Sequence, residues 1–131
     1  MSGQMDSGHR GGHVSVTDVA VERFEWGRLE WMVSGEMGNS DTMTVGKCYI
    51  EPGMGNPWHY HPNCDEVLHV VVGTIRKHVG DAYFDMGPGD TISIPIGAMH
   101  RAENIGESEC ELLICYDSAY REVVGEGLAA P

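Results

Sequence analysis

The sequence predicts an all-β domain, and three observations predict it. Eighteen glycines and six prolines among 131 residues divide the chain into many short segments. One of those segments, Thr42 to Glu51, alternates with the two-residue period of a pleated strand. Another, Glu66 to Val72, is a short, largely apolar run of strand length. Compact turn signals separate such segments, above all Gly80-Asp81 and Gly87-Pro88-Gly89-Asp90, where glycine supplies positive φ and proline a fixed φ. A chain of this length forms one domain and buries a core without staples.

Taken in order, residues 1–18 contain Gly, Ser and His without an apolar period and are expected to form a flexible tail, with His9 and His13 solvated. The folded domain is expected over residues 19–126, with a frayed end at 127–131. From Val19 to Val33, the apolar Phe24, Trp26, Leu29, Trp31 and Val33 mark strands. Their alternation slips at Gly27-Arg28, as at a tight turn or a bulge. Trp26 and Trp31 suit core packing and a dimer contact equally. Glu36 to Asp41 is a loop, and Thr44, Gly46, Cys48 and Ile50 then share one strand face. Further on, Glu66, Leu68, Val70 and Val72 share a face opposite Val67, His69 and Val71. Both faces are largely apolar, so this strand is expected to be covered on both sides. His69 has the wrong parity to join Glu66 and is expected to be a hydrogen-bonded packing histidine. Thr74 to Met86 is a hairpin about Gly80-Asp81 that puts Tyr83 and Phe84 on opposite faces. Arg101, Glu103 and Glu107 are expected to be solvated, Cys110 to Tyr116 closes the fold as an apolar strand, and Asp117 to Gly127 is a short helical or extended segment covering an opening.

The formal charge of −12, with only eight scattered Lys and Arg, argues against nucleic acid as a partner, because phosphate contacts need clustered cations. No apolar run approaches membrane-spanning length, and no secretory apolar region stands at the start. Cys48, Cys64, Cys110 and Cys115 form no Cys-x-x-Cys pair, so reduced thiols and a cytoplasmic location are the expectation.

One stretch carries chemistry. His59 and His61, two apart on an extended strand, point to one face about 6.5–7 Å apart along the chain. Glu66 follows a Pro-Asn-Cys-Asp turn, so a returning strand can bring its carboxylate to the same point. By the same parity Trp58 and Tyr60 point away. These residues alone fit either a metal site or chance proximity; a further donor decides it, and His100, after Gly89-Asp-Thr-Ile-Ser-Ile-Pro-Ile-Gly-Ala-Met, is the candidate.

Here the chain resembles the cupins. Gly53, His59, His61, Glu66 and Gly73 meet every fixed position of the first cupin motif, and Gly89, Pro95, Gly97, His100 and Asn104 meet those of the second. The resemblance, to small single-domain bacterial cupins of the cupin 2 type, runs from about Val21 to Val124. It implies a double-stranded β-helix, a jelly-roll barrel, holding one divalent transition metal (Fe, Mn, Ni, Zn or Cu) on His59, His61, Glu66 and His100. Imidazole and carboxylate donors suit any of these ions. Four protein ligands leave an octahedral ion two positions for exogenous groups, unlike a closed structural zinc. Ile50 faces inward in such cupins, which puts Cys48 in the cavity; Cys48 and Leu68 are the candidate pocket residues.

The resemblance further implies a small-molecule substrate, a homodimer, and mononuclear non-haem dioxygenase or oxidoreductase chemistry. Two alternatives stand beside it. One is a non-redox isomerase, lyase or polyketide-cyclase-like enzyme, since Cys115 to Val123 loosely resembles the C-terminal part of polyketide-cyclase-like cupins. The other is a non-catalytic module that binds a small ligand.

Overall fold

The computed structural model describes residues 12–125. Residues 1–11 of the expected tail, and the expected frayed end at 127–131, lie outside the described residues. The elements are β1 (Ala20–Phe24), β2 (Gly27–Val33), β3 (Thr44–Ile50), β4 (His59–Tyr60), β5 (Glu66–Val72), β6 (Ile75–Val79), β7 (Ala82–Met86), β8 (Thr91–Ile94), β9 (His100–Asn104), β10 (Cys110–Tyr116) and β11 (Val124–Gly125). They form two antiparallel sheets, a six-stranded one in the order β1-β2-β3-β10-β5-β8 and a five-stranded one in the order β11-β4-β9-β6-β7. The two sheets face one another across a common core, and the fold is the double-stranded β-helix of a cupin jelly roll. No helix occurs among the described residues, and none is long and apolar enough to cross a membrane.

Alternation builds this core. In β3 and β10 every second residue is buried, among them Cys48, Ile50, Leu112 and Ile114. The slip at Gly27-Arg28 is a hairpin, since Phe24 pairs with Gly27 across a two-residue turn. A second hairpin joins β6 to β7 through Gly80-Asp81, with Gly80 at φ 57 supplying the positive dihedral the tight turn needs. Trp26 and Trp31 both pack against the chain's own core, and Trp26 stacks on Phe24 with 4.8 Å between ring centroids.

Two expectations need correction, those for β5 and for Arg101 with Glu103. β5 is not covered on both sides, because Val67 and Val71 on its outer face are exposed. Val72 is exposed as well: a β-bulge where β5 meets Glu111 and Leu112 slips the alternation after Val70 and turns Val72 out. Tyr83 and Phe84 lie on opposite faces of β7 as expected, and both are exposed because β7 is the edge of its sheet. Arg101 and Glu103 are half-buried rather than solvated. Arg101 Nε donates to the Asn56 carbonyl at 3.1 Å, and Glu103 lies 2.7 Å from His78 Nε2 and 3.3 Å from Arg101 Nη1. Glu107 is exposed as expected. Of the two forms open to the late segment, it takes the extended one and ends in β11, paired with β4.

Candidate metal centre

The two sheets converge on one point. β4 and β9 place His59 directly opposite His100 in the five-stranded sheet, while Glu66 begins β5 on the facing sheet. His61 leaves β4 toward the turn that leads to β5. The glycines that bracket these strands, Gly53, Gly73, Gly89 and Gly97, have φ between 80 and 99, a region costly for any side chain with a Cβ. Asn104 ties the β9 end down. Its amide nitrogen donates to the carbonyls of Ile50 at 2.8 Å and Ser108 at 2.9 Å, and its oxygen accepts from the Gly106 N–H.

His59, His61, Glu66 and His100 are all buried, and one donor atom from each lies within 4.8 Å of the others. Glu66 Oε1 stands 3.3 Å from His61 Nε2 and 3.5 Å from His100 Nε2. These three atoms are buried and have no hydrogen-bond partner within the protein. Orphaned polar atoms are uncommon in folded cores, and three meeting at one point fit a bound cation.

Ring orientation supports the same reading. His59 Nδ1 lies 2.7 Å from the Pro57 carbonyl and His61 Nδ1 lies 2.8 Å from the Glu122 carbonyl. A carbonyl only accepts, so each Nδ1 carries the proton and each Nε2 presents its lone pair inward. Burial lowers His59 from its ordinary value to about 4, against the pull of its bond to Pro57, and lowers His100 to about 2. Both imidazoles are therefore neutral and able to ligate at physiological pH. Burial is the largest single influence on Glu66 and opposes its ionisation, but His61, Lys77 and His100 together outweigh it and hold the carboxyl well below its usual range. The donor set is three imidazole nitrogens and one carboxylate oxygen, which suits a divalent transition ion.

His100 is oriented by a residue that strand reading passed over. Lys77 is buried at 1% exposure, and its Nζ lies 2.8 Å from His100 Nδ1. Burial lowers its proton affinity. Ligation through Nε2 of His100 leaves the proton on Nδ1, and Lys77 Nζ is the group placed to accept it when neutral, the form that burial favours. The signal was present: Lys77 shares the inward parity of Ile75 on β6, and a lysine in an inward register is unusual.

An inner cavity of about 50 Å³ opens beside these groups, lined by His59, Glu66, Lys77, His100 and mostly apolar side chains. Cys48 and Leu68 both line it. Burial pushes the Cys48 thiol and the Tyr116 phenol far up, so both stay protonated. His69 lies away from this cavity, with its Nδ1 2.7 Å from Thr91 Oγ1. Among the described residues no cysteine joins the donor cluster, and all four cysteines are free thiols.

The cupin domain family matches residues 46–116, which include all four donors. Germin-like protein 3-8 of Oryza sativa subsp. japonica is 30% identical over 94 residues, covering 68% of this chain and 42% of its own length. Polyketide synthase CurC of Streptomyces cyaneus is 25% identical over 100 residues, covering 76% of this chain and 65% of its own. The structure of the Lactobacillus farciminis oxalate decarboxylase formate complex superposes with a TM-score of 0.77 at 24% identity, covering 83% of this chain and 34% of that one. This chain thus spans roughly a third to two-thirds of the length of these proteins. The family match, the fold and the four inward-facing donors agree: the chain belongs to the cupin family.

Proposed function

We propose that the protein is a mononuclear metal oxidoreductase of the dioxygenase type acting on a small organic molecule. The observation that carries this reading is the set of buried, unpartnered donors of His61, Glu66 and His100, joined by His59, with His59, Glu66 and His100 lining a largely apolar cavity. A redox-active divalent ion held there would supply Lewis acidity and a path for electrons between substrate and oxygen. The chain's own share is positioning. The Pro57 and Glu122 carbonyls hold two imidazoles in ligating orientation, and the apolar lining limits water. Side-chain acid–base chemistry has few candidates, because Cys48 and Tyr116 are kept protonated and Glu66 belongs to the donor set.

The test is elemental analysis of anaerobically purified protein, then reconstitution with Fe(II), Mn(II) or Zn(II) and oxygen-uptake screening against diketones, catechols and hydroxy acids. Oxygen consumption with the iron or manganese form and none with the zinc form is expected. Turnover by the zinc form without oxygen would overturn the redox reading. That result would favour a second one, a non-redox polyketide-cyclase-like reaction, which the alignment with CurC over 76% of this chain supports.

A further inference from the structure

We propose that Arg121 anchors a carboxylate group of the substrate at the mouth of the metal cavity, so that the substrate class is a short carboxylic acid. The proposal deepens the preceding one, since it takes the inner cavity to be the reaction site. Outside that cavity lies a second cleft of about 470 Å³, and Arg121 and Glu22 are the two residues lining both. These two side chains therefore form part of the boundary between the two cavities.

Arg121 is held beside Trp31 and within hydrogen-bonding reach of Tyr116. Among the described residues its guanidinium makes no ion pair, whereas Arg28, Lys47, Arg76 and Arg101 all do. Its Nε is buried without a hydrogen-bond partner, a state that is costly unless something accepts from it. Glu22 does not pair with it and instead accepts the Trp31 Nε1–H at 2.9 Å. The guanidinium carbon lies 4.7 Å from the Trp31 ring centroid and 5.3 Å from that of Tyr116. Stacking on aromatic faces leaves the in-plane N–H groups of arginine free to form a fork on a planar anion.

The support behind that fork reaches into the metal site. Tyr116 meets the His61 ring edge-on at 5.0 Å between centroids. The segment carrying Arg121 is clamped by Asn63, whose side chain donates to the Tyr120 carbonyl at 2.8 Å and accepts the Glu122 N–H at 3.0 Å, while the Glu122 carbonyl holds His61. Trp31 can lie across β3 only because position 46 is glycine, where a Cβ would stand 2.5 Å from its ring. A carboxylate fits this setting better than phosphate. It is planar like the guanidinium, and its single charge faces less repulsion from Glu22 and from a chain of formal charge −12.

The test titrates the zinc-loaded protein calorimetrically with glycolate, with its neutral isostere glycolamide, and with inorganic phosphate. Glycolate is expected to bind roughly 10- to 100-fold more tightly than glycolamide, the range for a hydrogen bond to a charged group. Arg121→Gln should erase that preference while leaving zinc content and glycolamide affinity unchanged, and Arg121→Lys should retain part of it. If Arg121→Gln fails to hold zinc, the wild-type comparison with Arg121→Lys and a glycolate-soaked crystal decide, with a carboxylate oxygen expected within hydrogen-bond distance of the guanidinium. Equal affinity of wild type and variant for glycolate, or a wild-type preference for phosphate or glycolamide, would overturn the assignment. The absence of oxygen uptake with every metal would refute the oxidoreductase reading alone, because the glycolate preference is measured without turnover.

Discussion

Replacing Lys77 with methionine separates metal affinity from fold stability at this centre. Lys77 lies on β6 beside β9, where Val79 is the direct partner of His100, so Lys77 reaches His100 diagonally across the ladder. Methionine keeps the aliphatic stem and removes the amine 2.8 Å from Nδ1. Two opposed effects follow. The Nδ1–H of His100 is left unpaired in a site only 1% exposed, at a cost of about 1–3 kcal/mol. Removing a buried amine, whose proton affinity burial already lowers, relieves a desolvation penalty. In the metal-free protein these largely offset, so its melting temperature should stay near that of wild type. Once an ion holds the His100 ring through Nε2, nothing replaces the lost partner, and outer partners of this kind contribute about 10- to 100-fold in metal affinity. The assay is a competition titration with Mn(II) and Zn(II) against a chelating dye, run beside thermal melts of the metal-free protein. Lys77→Gln, whose amide oxygen accepts the Nδ1–H, should recover part of the affinity. A methionine variant that binds both ions as tightly as wild type, or a glutamine variant no better than methionine, refutes the idea that Lys77 orients His100.

Three further outcomes are expected. The metal-free protein should lose stability as pH falls from about 6.5: the depressed His59 takes up its proton in the unfolded chain before the folded one, and a shift from 6.5 to about 4 corresponds to roughly 3 kcal/mol. Urea unfolding at several pH values checks this, and a flat profile between pH 7 and 4.5 would contradict it. Asn104→Ala should destabilise by about 2–4 kcal/mol, because it leaves the buried carbonyls of Ile50 and Ser108 short of a donor, and it should lower the urea midpoint with or without metal. Gly46→Val should cost about 1–3 kcal/mol through collision with the Trp31 ring, read from the same unfolding curves, and an unchanged midpoint would show that the ring has room to move.

Much of the centre was legible before any coordinates. His59 and His61 share a face by parity, Glu66 and His100 follow turns marked by Gly and Pro, and the two motif blocks located all four donors. The hairpin at Gly80-Asp81 was legible too, because turn chemistry is local, whereas at Gly27-Arg28 a tight turn and a bulge both fitted the sequence and the pairing of β1 with β2 decided for the turn. The exposure of Val72 was not, since a bulge depends on how β5 meets β10 and leaves no trace in the apolar pattern of β5 alone. Arg101 and Glu103 were misplaced for a similar reason: their partners, Asn56 and His78, come from other parts of the chain.

By itself, then, the sequence determined which side chains share a face along a regular strand such as β3, where several of the turns fall, and which donor atoms are available. Only the tertiary structure decided that Lys77 meets His100 and that Arg121 lines both cavities. The reason is physical. A two-residue period assigns a face to each residue within one strand, but which strands lie side by side, and in what register, is set by closure of the two sheets around a shared core.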